Sequence, residues 1–173
     1  GFTPQQLSSA RFDIEYYLFG CNDPVALNYD PNVVINDGSC EYATIEISID
    51  FISDWNLVGL PLGVEDASYL TLFPDALENT LFLFDDAYFP DTIMIAGEGY
   101  WLRFANAGIS TIIGDPISQL SINLGEGWNL ISGISEEVSM DAVSDPEGII
   151  VPGTLYGFNG GYVEMGMIVP GKG

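Results

Sequence analysis

Cys21 and Cys40 are the only cysteines of the chain, and they bracket GCNDPVALNYDPNVVINDGSC at 20–40. Within that stretch Asp23, Asn28, Asp30, Asn32, Asn36 and Asp37 supply side-chain oxygens. Two thiolates cannot complete a zinc site by themselves, and with no histidine in the chain the other ligands would have to be carboxylates. A disulfide fits the pair better. It would close a loop whose ends stand 19 positions apart, worth on the order of 3 kcal/mol in the chain-entropy model, and it implies an oxidising compartment outside the cytoplasm. Ca²⁺ takes roughly six to eight oxygens in flexible geometry, so Asp23, Asn28, Asp30, Asn36 and Asp37 form a feasible calcium set. The alternative is a clasp bonded to itself: Asp23-Pro24 and Asp30-Pro31 start turns, and Asn36-Asp37-Gly38 is a turn whose side chains bond their own backbone. The spacing departs from the EF-hand pattern. Both readings keep the disulfide.

Other chemistry finds little support, and no catalytic residue is assigned. Serine and cysteine nucleophiles lack histidine as their base, no GxSxG occurs, and no glycine-rich loop carries the lysine that cradles phosphate. A carboxylate pair for glycoside hydrolysis has no spacing signal here, and solvated surface charge explains the acids. The 25 acidic residues face only Arg11, Arg103 and Lys172, a formal charge of −22. Such a balance disfavours nucleic acid and anionic membranes, keeps the protein dispersed and attracts divalent cations. Disorder does not follow from the charge, because 13% aromatic and 47% hydrophobic content supply a buriable core. No apolar run reaches the roughly 20 residues of a membrane span, and no basic-then-apolar signal peptide opens the sequence, so the reading is of a soluble, mature piece.

The elements that must position these groups come in two copies. DWNLVGLPL at 54–62 returns as GWNLISGIS at 127–135, an offset of 73 residues. NTLFLF at 79–84 returns as GTLYGF at 153–158, Tyr88 as Tyr162, and the start of AGEGYWLRF at 96–104 as PGKG at 170–173, all offset by 74. Each Trp segment follows a candidate strand, ISIDFIS at 47–53 or LSINLGE at 120–126. Period-2 alternation places Ile45, Ile47 and Ile49 on one face, and Leu120, Ile122 and Leu124 on another. A short helical turn is expected before Pro74 and before Pro146, and FNGGY at 158–162 carries an Asn-Gly hairpin signal matched in place by FDDAY. Trp55, Leu57, Trp101, Trp128 and Leu130 are expected in the repeat core, because an aromatic used once per unit suits packing better than a sugar platform. Tyr69, Tyr88, Phe89 and Tyr162 near the hairpin tips are the candidates for glycan contact.

The expected organisation has three parts. Residues 1–19 hold a helical turn at TPQQL and a strand, RFDIEYYLF, whose Phe12, Ile14, Tyr16 and Leu18 share a face and are candidate assembly residues. Residues 20–42 are the clasp. Residues 43–173 are an all-β, tandem, pseudo-twofold, sandwich-like domain, with copies at about 44–115 and 116–173. In the first copy Gly99 is followed by the apolar strand Tyr100 to Phe104. The second copy stops at the matching Gly173 without that closing strand, which implies either a piece of a longer protein or a slot filled by a strand from elsewhere.

Two resemblances rest on these residues. Gly20 to Tyr42 resembles the short GC-x-DP-x-A-x-NY…DDGSC module of large secreted and cell-surface proteins of marine and Bacteroidetes-type bacteria. It does so through Cys21, Asp23, Pro24, Ala26, Asn28, Tyr29, Pro31, Asp37, Gly38, Ser39 and Cys40, with Val33 and Asn36 departing from the pattern. Residues 44–173 are similar to the tandem GWNL…GxGYW module of the same class of proteins, often just upstream of a type IX sorting domain, through Trp55-Asn56-Leu57-Val58, Leu72-Phe73-Pro74, Gly97 to Trp101, Trp128-Asn129-Leu130-Ile131 and Gly171-Lys172-Gly173. The resemblances imply an extracellular structural or adhesive module without catalysis. Its partners would be other copies of itself, other surface proteins or glycans, and Ca²⁺ its one candidate cofactor. A filament subunit assembled by strand exchange and a carbohydrate-binding module are the alternatives.

Overall fold

A computed structural model describes residues 17–173. The chain divides into a unit that ends at Ala43 and a unit from Thr44 to Gly173. Both are built from β structure, with one four-residue helix and one 3-10 turn in the second unit.

In the first unit β1 (Phe19–Gly20) runs parallel to β2 (Ile35–Asn36). Of the strand expected over 11–19, Phe12, Ile14 and Tyr16 lie outside the described residues, as does the helical turn at TPQQL. Leu18 is not in a strand. Its carbonyl instead accepts from the Val34 and Ile35 N–H groups, so the end of that segment belongs to the clasp.

The second unit opens with β3 (Ile45–Phe51), β4 (Asp54–Gly59) and β5 (Leu62–Gly63), followed by helix α1 (Tyr69–Leu72). Then come β6 (Phe82–Asp85), β7 (Ala87–Pro90), β8 (Gly99–Phe104) and β9 (Gly108–Pro116). One sheet has the order β3-β9-β5 and the other β4-β8-β6-β7. The β3–β9 pair is antiparallel in unbroken register from Ile45–Gly114 to Phe51–Gly108. Alternation along β3 sends Ile49 and Phe51 inward, and along β8 it sends Tyr100, Leu102 and Phe104 inward. Phe51 stacks on Phe104 at 3.8 Å between ring centres. Leu60, Leu62, Phe73, Leu81 and Ile112 belong to the same core, with Val58, Tyr69, Leu72 and Met94 beside them, and a large apolar side chain of this kind contributes roughly 1.5–3 kcal/mol by full burial.

The second copy continues with β10 (Val138–Ser139), a 3-10 turn (Met140–Ala142), β11 (Tyr156–Phe158), β12 (Tyr162–Glu164) and β13 (Met167–Ile168). Its geometry repeats that of the first at the sequence offset. The β6–β7 pairs Phe82–Pro90 and Phe84–Tyr88 recur in β11–β12 as Tyr156–Glu164 and Phe158–Tyr162. At the helical turns, where the serines stand 71 positions apart, Ser68 bridges Ile93 and Ser139 pairs with Met167. Asn56 accepts from Ile52 N–H and donates to the Ile52 and Asp54 carbonyls, and Asn129 makes the same three bonds to Gly125 and Gly127. That turn puts its middle residue at positive φ in both copies, Asp54 at 75° and Gly127 at 89°.

The copies also grip each other reciprocally. Val58 bridges Lys172, while Glu98, the counterpart of Lys172, bridges Ile131, the counterpart of Val58. Gly59 N–H donates to Gly171 O as Ser132 N–H donates to Gly97 O. Gly171, at φ 73°, leaves no room for a Cβ because Ile49 fills the space, and Gly97, at φ 95°, is closed off in the same way by Leu120 and Ile122. A positive φ and a cross-copy contact together require glycine at both places.

Two expectations are corrected. LSINLGE and the Trp128 segment, expected as strands, form no ladder, although Ile131 makes its one bridge to Glu98. In the first copy β9 and β8 hold the matching segments, and among the described residues nothing stands in those places for the second. An alternating pattern without a partner strand cannot satisfy its backbone in a sheet. For the same reason Trp128, expected in the core, is 67% exposed and Leu130 only half-buried, whereas Leu57 is buried. Trp55 and Trp101 are half-buried in an aromatic cluster on the outer side of the sheet.

Candidate functional site

One side-chain oxygen of each of Asp23, Asp30, Asn36 and Asp37 is bonded to the clasp's own backbone. Asp23 Oδ1 accepts from Val25 N–H at 3.0 Å, Asp30 Oδ1 from Asn32 N–H at 2.9 Å, Asn36 Oδ1 from Gly38 N–H at 2.9 Å and Asp37 Oδ1 from Ser39 N–H at 3.0 Å. These are the self-bonded turns expected of Asx residues. Asn28 ties the two ends of the loop together, donating to Ser39 O at 2.6 Å and accepting from Glu41 N–H at 2.9 Å. The Cys21–Cys40 disulfide joins Cα atoms 4.7 Å apart, with Cys21, Ala26 and Val33 buried around it. Among the described residues no three acidic or cysteine side chains gather as a cation-holding group.

The hydrogen bonds set the electrostatics. Val25 N–H, and after it the Tyr42 hydroxyl at 2.7 Å, hold the Asp23 carboxyl below its ordinary value, and the same bond pushes the Tyr42 phenol up. The Asn32 backbone N–H and after it the Asn32 side chain lower Asp30, and the Ser39 side chain and after it the Ser39 backbone N–H lower Asp37. Sequence reading missed Tyr42 as the partner of Asp23 and Asn28 as the tie; the placement of Asn28 and Tyr42 about a dozen and two residues from Cys40 was the only trace of either.

The second cluster is aromatic. Trp101 sits edge-on to Trp55 at 6.5 Å and to Phe158 at 4.8 Å, with Tyr162 at 6.4 Å. The strand that carries it also carries Arg103, whose guanidinium lies 5.8 Å from the centre of the Trp55 ring and donates to Asp54 Oδ1 at 2.7 Å. The β11–β12 hairpin of the second copy therefore caps the Trp strand of the first. The counterparts of Trp55, Phe158 and Tyr162 are Trp128, Phe84 and Tyr88. Trp128 touches Tyr156 at 5.8 Å, as Trp55 touches Phe82 at 5.9 Å, and Phe84 lies 5.2 Å from Tyr88. Between Phe84 and Trp128 is a cavity of about 350 Å³, also lined by Asp85, Asp86, Gly125, Glu126 and Asn129.

Of the residues expected to meet glycans, Tyr88, Phe89 and Tyr162 are exposed. Tyr69 is not: it is buried in α1, and its hydroxyl accepts from Asn79 N–H at 2.7 Å. Its place as the first residue of α1, an inward-facing position, overrides its nearness to the hairpin in sequence.

Comparison of the chain with protein-family models, with curated proteins and with solved structures finds no match. The disulfide indicates an oxidising, non-cytoplasmic environment, and among the described residues no helix is long and apolar enough to cross a membrane.

Proposed function

We propose that this chain is an extracellular structural or adhesive module of a secreted bacterial surface protein, and that it works by holding rather than by chemistry. The observation that carries the reading is the reciprocal bridging of the two copies, Val58 with Lys172 and Glu98 with Ile131, behind a covalently closed clasp. An interlocked β unit and a cross-linked loop both resist extension and proteolysis, which is the demand on a surface module. The acidic oxygens of the clasp serve its turns, in keeping with a structural role. The charge of −22 keeps such a module soluble and leaves basic or cation-bridged surfaces as its partners. Antibody against the chain should label intact cells that produce it. Labelling only after permeabilisation would overturn the proposal.

A second reading, a carbohydrate-binding module, draws on Tyr88, Phe89 and Tyr162 standing exposed beside their hairpins. Binding on a glycan array with Ca²⁺ present, lost in Tyr88→Ala or Tyr162→Ala, would favour it; an array without signal would retire it.

A further inference from the structure

We infer that Asn159 is a site of spontaneous covalent modification, at which water converts the side-chain amide to aspartate and isoaspartate, and that the isoaspartate form releases the hairpin by which the second copy caps the first. The inference is independent of the proposed role and of where the protein resides. It begins from two pairs, since Asn159-Gly160 and Asp37-Gly38 are the only places where Asn or Asp precedes glycine. Glycine has no Cβ to stand between its own backbone nitrogen and the preceding side-chain carbonyl. Asn159 lies with Gly160 and Gly161 at the exposed tip of the β11–β12 hairpin. Its own N–H donates to Gly161 O at 3.0 Å, but among the described residues neither its side-chain amide nor the Gly160 N–H has a hydrogen-bond partner. Asn28, Asn32, Asn36, Asn56 and Asn129 all have their side chains bonded. The other pair is guarded. Asp37 Oδ1 accepts from Ser39 N–H at 3.0 Å, and Ser39 holds that carboxyl below its ordinary value through its side chain and then its N–H. A carboxylate kept ionised and bonded is a poor electrophile, so the clasp is spared.

The step balances with water as its only co-reactant. The Gly160 nitrogen gives its proton to solvent and uses the freed electron pair to bond Asn159 Cγ. The Cγ–N bond of the side-chain amide breaks with its pair on nitrogen, which takes up a proton and leaves as ammonia, closing a cyclic succinimide. Water then adds to either ring carbonyl. Opening at Cγ gives aspartate on an ordinary backbone. Opening at the Asn159 main-chain carbonyl leaves the chain running through Cγ as isoaspartate, a backbone longer by a methylene. Both products put a carboxylate where a neutral amide stood. Only the second changes the path of the chain. The loop between Phe158 and Tyr162 is a short one that fixes those residues opposite each other, and a lengthened backbone within it no longer holds that register. Phe158 and Tyr162 are the rings that meet Trp101 at 4.8 and 6.4 Å. A Cβ at Gly160 would lie 4.0 Å from Ile52 Cδ1 of the first copy. The contact that opens is therefore the one between the copies.

The full chain is kept warm in mildly alkaline buffer and sampled by peptide mapping in a mass spectrometer, with an isoaspartate-specific methyltransferase scoring the isomer. Exchange of NH2 for OH should accumulate at Asn159 at least about tenfold faster than at Asn106 and Asn123, which are also exposed but precede Ala107 and Leu124. Isoaspartate should be among the products at 159, and Asp37 should lag by a similar factor. In the isoaspartate fraction hydrogen exchange of amides 156–164 should quicken by at least about tenfold while β3 and β9 keep their rates. Two variants at the exposed tip separate the causes. Asn159→Gln, whose longer side chain does not close a succinimide, should abolish both changes. Freshly prepared Asn159→Asp supplies the charge without the extra methylene and should leave amides 156–164 slow. Modification at 159 no faster than at 106 and 123, isoaspartate at Asp37 as fast as at Asn159, or isoaspartate at 159 with unchanged exchange over 156–164 would overturn the inference. So would Asn159→Asp that quickens exchange as much as the isoaspartate fraction does, since charge and not chain length would then open the hairpin.

Discussion

Asn56 offers the sharpest test of the repeated turn, because the same side chain does the same work twice in different surroundings. It is 7% exposed and makes three bonds to its own turn, at 2.9, 2.9 and 3.1 Å. Asn56→Ala leaves the Ile52 N–H and the Ile52 and Asp54 carbonyls without those partners. At about 1 kcal/mol net for each bond the loss is about 3 kcal/mol. Asn129 makes the matching bonds to Gly125 and Gly127, but it is half-buried among exposed neighbours where water replaces a lost partner. Asn129→Ala should therefore cost about 1 kcal/mol. For a unit of this size that corresponds to Tm falling by about 12 °C and about 4 °C respectively. Asn56→Asp keeps the acceptor but sets a carboxylate against two carbonyls, so it should cost at least as much as alanine. Urea unfolding followed by circular dichroism, with unchanged m-values, measures all three. Equal losses at 56 and 129, or a loss at Asn56 below 1 kcal/mol, would refute the reasoning.

Gly171→Ala combines positive φ with a Cβ placed on the Ile49 side chain and should cost about 2–4 kcal/mol. Gly148→Ala, at φ 67° with open space around it, should cost about 1 kcal/mol in the same assay. Ser110 Oγ is buried without a partner, so Ser110→Ala is expected to raise stability by about 1 kcal/mol, read as a higher urea midpoint. The clasp should weaken in acid. Asp23, Asp30 and Asp37 have folded pKa values lowered from the ordinary 3.8, so their contribution is fully present above pH 3.8 and is lost as pH falls through the lowered values. Exchange of the Val25, Asn32 and Ser39 amides should quicken in that window, and Asp23→Asn should remove the effect at Val25.

Much of this fold is legible in the sequence because its elements are local. The Asn-Gly hairpin at 158–162 encodes its turn by itself, and the alternation of Ile47, Ile49 and Phe51 marks a strand that β9 completes. The disulfide follows from two cysteines with no other use. The fate of 120–131 is not legible, since an alternating segment becomes a strand only when another strand meets it, and that is a property of distant residues. Trp128 followed the same rule: its type and repeat position signal a core, but its burial depends on a neighbour equivalent to β8. The candidate calcium set shows the converse limit. Asp, Asn and Gly in a closed loop suit a cation and suit Asx turns equally, and it is hydrogen-bond geometry that shows one oxygen each of Asp23, Asp30, Asn36 and Asp37 accepting from a backbone N–H. The pairing of Asp23 with Tyr42 spans 19 positions, and its one trace is the placement of Tyr42 two residues beyond Cys40.

Pulling the chain by its ends, one molecule at a time, tests most directly whether it is an interlocked module built to hold. With the disulfide intact, the unit from Thr44 to Gly173 is expected to yield in one event releasing roughly 450 Å of chain at about 3.5 Å per residue. Reduction of Cys21–Cys40 should add roughly 60 Å for the 19-residue separation that the bond hides. Two separate events, one for each copy, or an extension unchanged by reduction, would contradict the interlock and the clasp on which the proposed function stands.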